Sequence, residues 1–300
     1  MKSETIGKRI IVWTAVSALL LSLAGCREKY PETPKGIPME IVSISDTNML
    51  SVRTEEEFLR EEELPGLCRL VSGWSEGQRA WYLVENGEMQ TLLNGQMEPL
   101  VAADADILTA DGERALACHI QWTGEADYDM PRTCTLLQVE PEGESLTLGT
   151  GIVDAVLAED GKIAAQTEAG TFFILRQDGS VSEEQEGRPV GWRNKDELLV
   201  LRDAGTYKDM REEVWLYDAA KETFTPLRDA KGEVIWLRHL PGEYITANEN
   251  WLAYTAREKG ETQYPVLVSL TDGRAWEMKA YAVPRTWQLY VHLMEENGKK

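Results

Sequence analysis

Between residues 67 and 279 two kinds of hairpin alternate along the chain, and the pair occurs five times. The first kind reads "LVSGWSEGQRAWYLV" (70–84), "ILTADGERALACHI" (107–120), "AVLAEDGKIAAQ" (155–166), "VGWRNKDELLVL" (190–201) and "YITANENWLAYTA" (244–256). The second comes after each of these as "EMQTLLNGQMEPLV" (88–101), "TLLQVEPEGESLTL" (135–148), "FFILRQDGSVSEE" (172–184), "VWLYDAAKETFTPL" (214–227) and "VLVSLTDGRAWEMK" (266–279). Each hairpin has two apolar stretches around a polar turn, and no 3.6-residue period is sustained. Two hairpins per repeat make a four-stranded antiparallel unit. Five such units in series predict an all-β fold, a β-propeller of about five blades, with a β-sandwich of similar strand count as the rival. The tail "YAVPRTWQLYVHLM" (281–294) holds one more strand. It either pairs with "MEIVSISD" (39–46) to close the ring or belongs to a sixth, irregular blade.

The run "VWLYDAAKETFTPL" and the "ADG" turn before a strand (110–112) resemble the blades of TolB-like and WD-repeat-like propellers, including the propeller that caps prolyl oligopeptidases. The resemblance is one of pattern. The Trp-Asp strand ending and Gly-His signature of true WD repeats are missing.

Ahead of the repeats the chain changes character. Lys2, Lys8 and Arg9 precede an uncharged run from Ile10 to Ala24. That run is shorter than the roughly 20 apolar residues that span a bilayer, and fits a secretory signal. Leu23-Ala24-Gly25-Cys26 resembles the lipobox of bacterial lipoproteins. The resemblance implies cleavage before Cys26, acylation of its thiol with palmitate-type chains, and a membrane-anchored, extracytoplasmic protein. The expected organisation is a signal peptide over 1–25, a lipidated Cys and Pro-bearing tether over 26–38, an N-terminal strand and short helix over 39–66, and the propeller over 67–300. The helix is placed from Thr54 to Leu64 because Thr54-Glu55-Glu56-Glu57 has the form of a capping box and Leu64-Pro65-Gly66 ends it; Phe58 and Leu59 would pack it on the rim.

The chain has 300 residues and a formal net charge of −20. The signal segment carries three of the basic residues and one acid, so the mature form is more acidic still. Such a chain is repelled by nucleic acid and by anionic headgroups, and both are excluded as partners. The cysteines Cys68, Cys118 and Cys134 form no CxxC and no Cys/His pairing, which speaks against zinc. Cys118 and Cys134 either bridge or remain buried thiols.

Catalytic motifs are weak. Gly73-Trp74-Ser75-Glu76-Gly77 matches G-x-S-x-G, but a strand rather than a helix comes after it, so it reads as a turn. His119, His239 and His292 sit in separate repeats without ligand spacing, and Asp104/Asp106 and Asp127/Asp129 lack the remaining oxygen ligands of a calcium loop. Neither cofactor nor metal is expected. In propeller lettering, A to D from the axis outward, the D–A and B–C connections share a face. The long B–C segments 121–133, 203–213 and 257–264 place Trp122, Tyr128, Tyr207 and Tyr264 there, aromatic rings suited to recognition of a protein or peptide. The residues therefore favour a binding or scaffolding module over an enzyme. The alternative is a glycan-cleaving or glycan-binding protein, in which Asp106 and Asp154, at the starts of adjacent inner strands, form an axial carboxylate pair.

Overall fold

The computed structural model describes residues 34–293, apart from 65, 71, 74–81, 87–88, 94–97, 111–113, 123–131, 141–143, 159, 206–210, 238–244 and 258–259. The chain divides into Met1–Pro34 and Lys35–Lys300, and the described fold belongs to the second unit. The lipobox and Cys26 lie outside the described residues.

Each of the five double hairpins forms one sheet, with strands ordered A-B-C-D. The first blade is Cys68–Leu70, Tyr82–Asn86, Met89–Leu93 and Pro99–Ala103. The second is Asp106–Ala110, Ala115–Trp122, Arg132–Val139 and Ser145–Thr150, and the third is Ile152–Leu157, Ile163–Thr167, Thr171–Leu175 and Gln185–Glu186. The fourth is Arg188–Trp192, Glu197–Asp203, Glu212–Asp218 and Thr223–Pro226; the fifth is Ile245–Ala247, Trp251–Arg257, Thr262–Ser269 and Ala275–Glu277. Strand C is longer than its strand D in the last two, so short second pieces, Trp236–Leu237 and Val283–Pro284, complete their outer edges.

A sixth sheet is assembled from both ends of the unit. Its strand A is Gln288–Leu293, and B, C and D are Met39–Ile44, Met49–Arg53 and Phe58–Glu63. The two alternatives for the tail are thus one arrangement: it pairs with the N-terminal strand and in doing so makes the sixth blade.

Packing closes the ring. A β-sheet with two apolar faces must cover both, and here each face meets the next blade. Among the described residues six apolar clusters each join two neighbouring sheets. Val42, Leu50 and Tyr290 of the closing blade meet Cys68 and Leu93 of the first. Leu92 and Val101 meet Ala115 and Val139, Leu116 and Leu136 meet Ile152 and Ile163, and Phe172 and Ile174 meet Leu198 and Tyr217. Leu199 and Val214 meet Leu252 and Tyr254, and Ala253 and Leu267 return to Met39, Ile41 and Val291.

Polar contacts join neighbouring blades as well. Cys118 Sγ donates to the Ile152 carbonyl (3.4 Å), Trp192 Nε1 to the Val156 carbonyl (3.2 Å), Thr246 Oγ1 to the Val291 carbonyl (2.7 Å) and Gln288 Nε2 to the Cys68 carbonyl (2.6 Å). Ser72–Gly73 pairs in parallel with strand A of the second blade, so Gly73 of the G-x-S-x-G motif belongs to a strand seam between blades; Ser75 lies outside the described residues. Cys118 is a buried thiol and forms no disulfide.

The expected helix over Thr54–Leu64 is not formed. Thr54 Oγ1 does accept the N–H groups of Glu56 (3.3 Å) and Glu57 (3.1 Å), so the capping chemistry is present where the sequence places it. It closes a turn, after which Phe58–Glu63 pairs with strand C from Phe58↔Arg53 to Glu63↔Met49. Pairing along a whole strand outweighs the weak local preference of a short acidic segment. Phe58 (55% exposed) and Leu59 (44% exposed) are consequently on the surface rather than packed on the rim. Three successive glutamates on this outermost strand repel another chain's edge.

Candidate binding face

Strands A and C start, and strands B and D end, at the face that holds the D–A and B–C connections. Four charged residues gather there from the third and fourth blades. Asp154 is near the start of strand A in the third blade, and Arg188 opens strand A in the fourth. Glu212 opens strand C of the fourth blade directly opposite Asp203, which ends strand B.

The backbone that delivers Arg188 is unusual. Gly187 has φ +129°, and a Cβ on it would lie 2.5 Å from Val200 Cγ1 and 3.1 Å from the Leu201 carbonyl oxygen. Only glycine lets the D–A connection pass this close over strand B.

Asp154 is half-buried. Burial pushes its carboxyl above the ordinary aspartate range, against a hydrogen bond from the Ala155 N–H (2.8 Å) and the charge of Arg188. Glu212 is raised in the same way by burial, opposed by Arg188 and reinforced by the nearby Asp203 carboxylate. Its Oε2 is shut off from solvent and accepts no hydrogen bond from the described residues. One guanidinium thus serves two desolvated carboxylates on different blades. Among the described residues no ion pair within 4.0 Å joins Arg188 to either of them.

The opposite face, with the A–B and C–D turns, is arranged differently. Lys162 pairs with Asp160 and reaches Asp196 of the next blade at 4.0 Å. Arg176 pairs with Glu222 of the next blade (2.8 Å), Lys221 pairs with Asp218 (2.6 Å), and Arg193 Nε donates to the Glu249 carbonyl of the fifth blade (2.8 Å). The Lys221 bond holds the Asp218 carboxyl below its usual range. Several charges on this face join neighbouring blades, whereas Asp154, Arg188 and Glu212 at the mouth are partly desolvated and, among the described residues, form no ion pair with one another. Desolvating charge without close pairing is costly, and titratable groups perturbed in this way are concentrated at functional sites.

Beside the mouth, Arg211 lies over the ring of Trp236 at 4.8 Å, and Trp236 is 42% exposed. Arg202, from the end of strand B, stacks on Trp215 (5.0 Å) and Phe224 (4.7 Å) and reaches Glu186 of the third blade at 3.6 Å.

Of the residues expected from sequence, Trp122 ends strand B of the second blade opposite Arg132, so the segment between them is a B–C connection; its side chain, like Tyr128 and Tyr207, lies outside the described residues. Tyr264 is not a loop residue. It sits in strand C of the fifth blade, 2% exposed, within the core and with Lys279 Nζ 5.3 Å from its ring centroid. Asp106 opens strand A of the second blade and Asp154 lies in the neighbouring strand A; the side chain of Asp106 lies outside the described residues. Sequence reasoning missed Arg188 and Glu212. The available signal was a glycine directly before a charge at a strand start, Gly187-Arg188.

His239 lies outside the described residues, and His119 and His292 show no ligand arrangement among those described. His119 Nδ1 is 3.2 Å from the Asp104 carbonyl oxygen, and the His292 ring lies 6.1 Å from that of Tyr290. Among the described residues no group of three His, Cys, Asp or Glu side chains is placed to hold a metal ion, and no helix is long and apolar enough to cross a membrane.

No family model and no curated protein sequence matches the chain. Solved structures do. TolB from Acinetobacter baumannii superposes with a TM-score of 0.51 at 14% identity, over 85% of this chain and 68% of that one. A structure assigned as TolB from Agrobacterium tumefaciens gives 0.48 at 10% identity, over 87% and 100%. BamB from Moraxella catarrhalis gives 0.40 at 11% identity, over 85% and 74%. The chain shares the β-propeller fold with TolB.

Proposed function

We propose that this chain is an extracytoplasmic lipoprotein, fastened to a membrane through acylated Cys26, whose propeller binds a protein or peptide partner at the D–A/B–C face. The observation that carries the reading is the group at the mouth. Charges on the opposite face are taken up in ion pairs within and between blades, and at the mouth Arg202 pairs with Glu186, but Asp154, Arg188 and Glu212 are partly buried and, among the described residues, form no ion pair with one another within 4.0 Å. Aromatic surface adjoins them in Trp236, and the B–C segments with Trp122, Tyr128 and Tyr207 leave from the same face. The test is crosslinking and co-purification from intact membranes. A specific partner recovered with the natural chain and lost when Trp122, Tyr128 and Tyr207 are all changed to Ala supports the reading; a partner retained by that variant, or none with either chain, refutes it.

A glycan-cleaving reading draws on one observation, the raised carboxyl of Asp154 at the start of an inner strand, the state a general acid requires. Release of reducing sugar from envelope glycans, abolished by Asp154→Asn, would establish it, and no release would remove it.

A further inference from the structure

The outermost strand D of a blade leaves one main-chain edge toward solvent, and among the described residues most of these edges are blunted. Pro99 opens that of the first blade, the third has only Gln185–Glu186, and Pro226 ends the four residues of the fourth. The fifth has three residues ending in Glu277, and the closing blade carries Arg60 and three glutamates. Strand D of the second blade, Ser145–Thr150, is different: its six residues, S-L-T-L-G-T, include neither charge nor proline. Among the described residues no strand pairs on its outer side. We infer that this edge is a docking site on the rim of the propeller, separate from the mouth, which takes an extended, basic segment of a partner polypeptide as an added β-strand.

Register determines what the edge offers. The Glu140 N–H donates to the Glu144 carbonyl (3.0 Å), and Gln138↔Leu146 is the next hydrogen-bonded pair along the hairpin. The main-chain groups of Ser145 and Thr147 therefore point outward, away from strand C. Leu146 lies between them, 62% exposed, an apolar contact for a cross-strand neighbour. Charge selects the occupant. Glu144 is exposed at the start of the strand; at the far end the Glu168 N–H donates to the Gly151 carbonyl (3.0 Å), which holds the exposed Glu168 beside the residue after Thr150. Lysine or arginine at both ends of an incoming strand meets these carboxylates. A second copy of this chain meets the opposite. Antiparallel self-pairing would set Glu144 of each copy near Glu168 of the other, between chains of formal net charge −20.

The experiment uses the full chain and a fluorescein-labelled peptide in which three valines alternate with two threonines between flanking lysine pairs, its binding read by anisotropy at low salt. The lysine peptide should bind at least about tenfold tighter than the same peptide flanked by glutamates. Thr147→Pro removes an outward N–H and leaves the ladder with strand C in place, and Leu146→Lys sets a like charge against the incoming strand. Each should weaken binding by about tenfold or more. The chain with Trp122, Tyr128 and Tyr207 all changed to Ala should bind as the natural chain does. No binding of the lysine peptide, equal binding of the two peptides, or natural affinity retained by either edge variant overturns the inference. Loss of binding in the triple Ala chain assigns the peptide to the mouth and overturns it as well. A natural chain that sediments as a dimer, with Leu146→Lys a monomer, would give the edge to a second copy instead.

Discussion

Met39 and Leu293 face each other across an antiparallel pair, the two ends of the folded unit closing a ring that no single stretch of chain could close. The pairing runs on through Ile44 and Gln288, and the strand so added buries Leu289, Tyr290, Val291 and Leu293. Each of these contributes about 1.5–3 kcal/mol by burial, and their sum rivals the 5–15 kcal/mol that holds an ordinary domain together. A chain ending at Trp287 should have no cooperative thermal transition, or fail to accumulate in soluble form. A truncated chain melting within a few degrees of the natural one would show that the ring is held elsewhere.

Gly187 offers a more local test. Its φ of +129° and the 2.5 Å approach to Val200 leave no room for a methyl group, so Gly187→Ala should destabilise by at least about 1–3 kcal/mol in urea unfolding. Gly170→Ala, also at positive φ but in open space, should cost less, since strain acts there without a clash. The reverse order would mean that the D–A connection yields freely and does not fix Arg188.

Acid should separate the two faces. Asp154 and Glu212 have folded values raised above their unfolded ones, so the folded state holds their protons more tightly. Their contribution is favourable below the ordinary carboxylate range and is lost as pH rises through the raised values. Asp154→Asn with Glu212→Gln should therefore gain stability over the natural chain near neutral pH, and the gain should shrink as pH falls toward about 4. Asp218 is lowered by its bond to Lys221, so the sign reverses: Asp218→Asn should lose stability at neutral pH, and the loss should fade in acid. Denaturant midpoints at several pH values decide both, and parallel curves for all variants would contradict the assignment.

The blades were legible because two apolar stretches around a polar turn, Asn-Gly or Asp-Gly in five of the ten hairpins, are a local signal. Even ring closure was open to inspection in the surplus strand at 281–294. Two misreadings have a common cause. Thr54-Glu55-Glu56-Glu57 satisfies N–H groups in a turn as well as in a helix, and pairing with Met49–Arg53 makes the next six residues a strand. Tyr264 closes a polar stretch that reads as a loop, yet it lies within strand C opposite Ala256, and pairing with strand B again decides. The mouth was half legible. Asp154 stood out as an acid on an inner strand, but its dependence on Arg188 and the kinship of Glu212 arise from blades that only the ring brings together. No window of sequence contains all three.

The claim that matters most is that partners dock at the D–A/B–C face, and an exchange footprint tests it most directly. Amide hydrogen exchange of the chain, alone and with its captured partner, should show new protection at the B–C connections, 121–133 and 203–213, and at the strand starts that bear Asp154 and Arg188. Turns 158–162, 193–197 and 218–222 should exchange as before. Protection confined to those turns would place the partner on the ion-paired face and contradict the account.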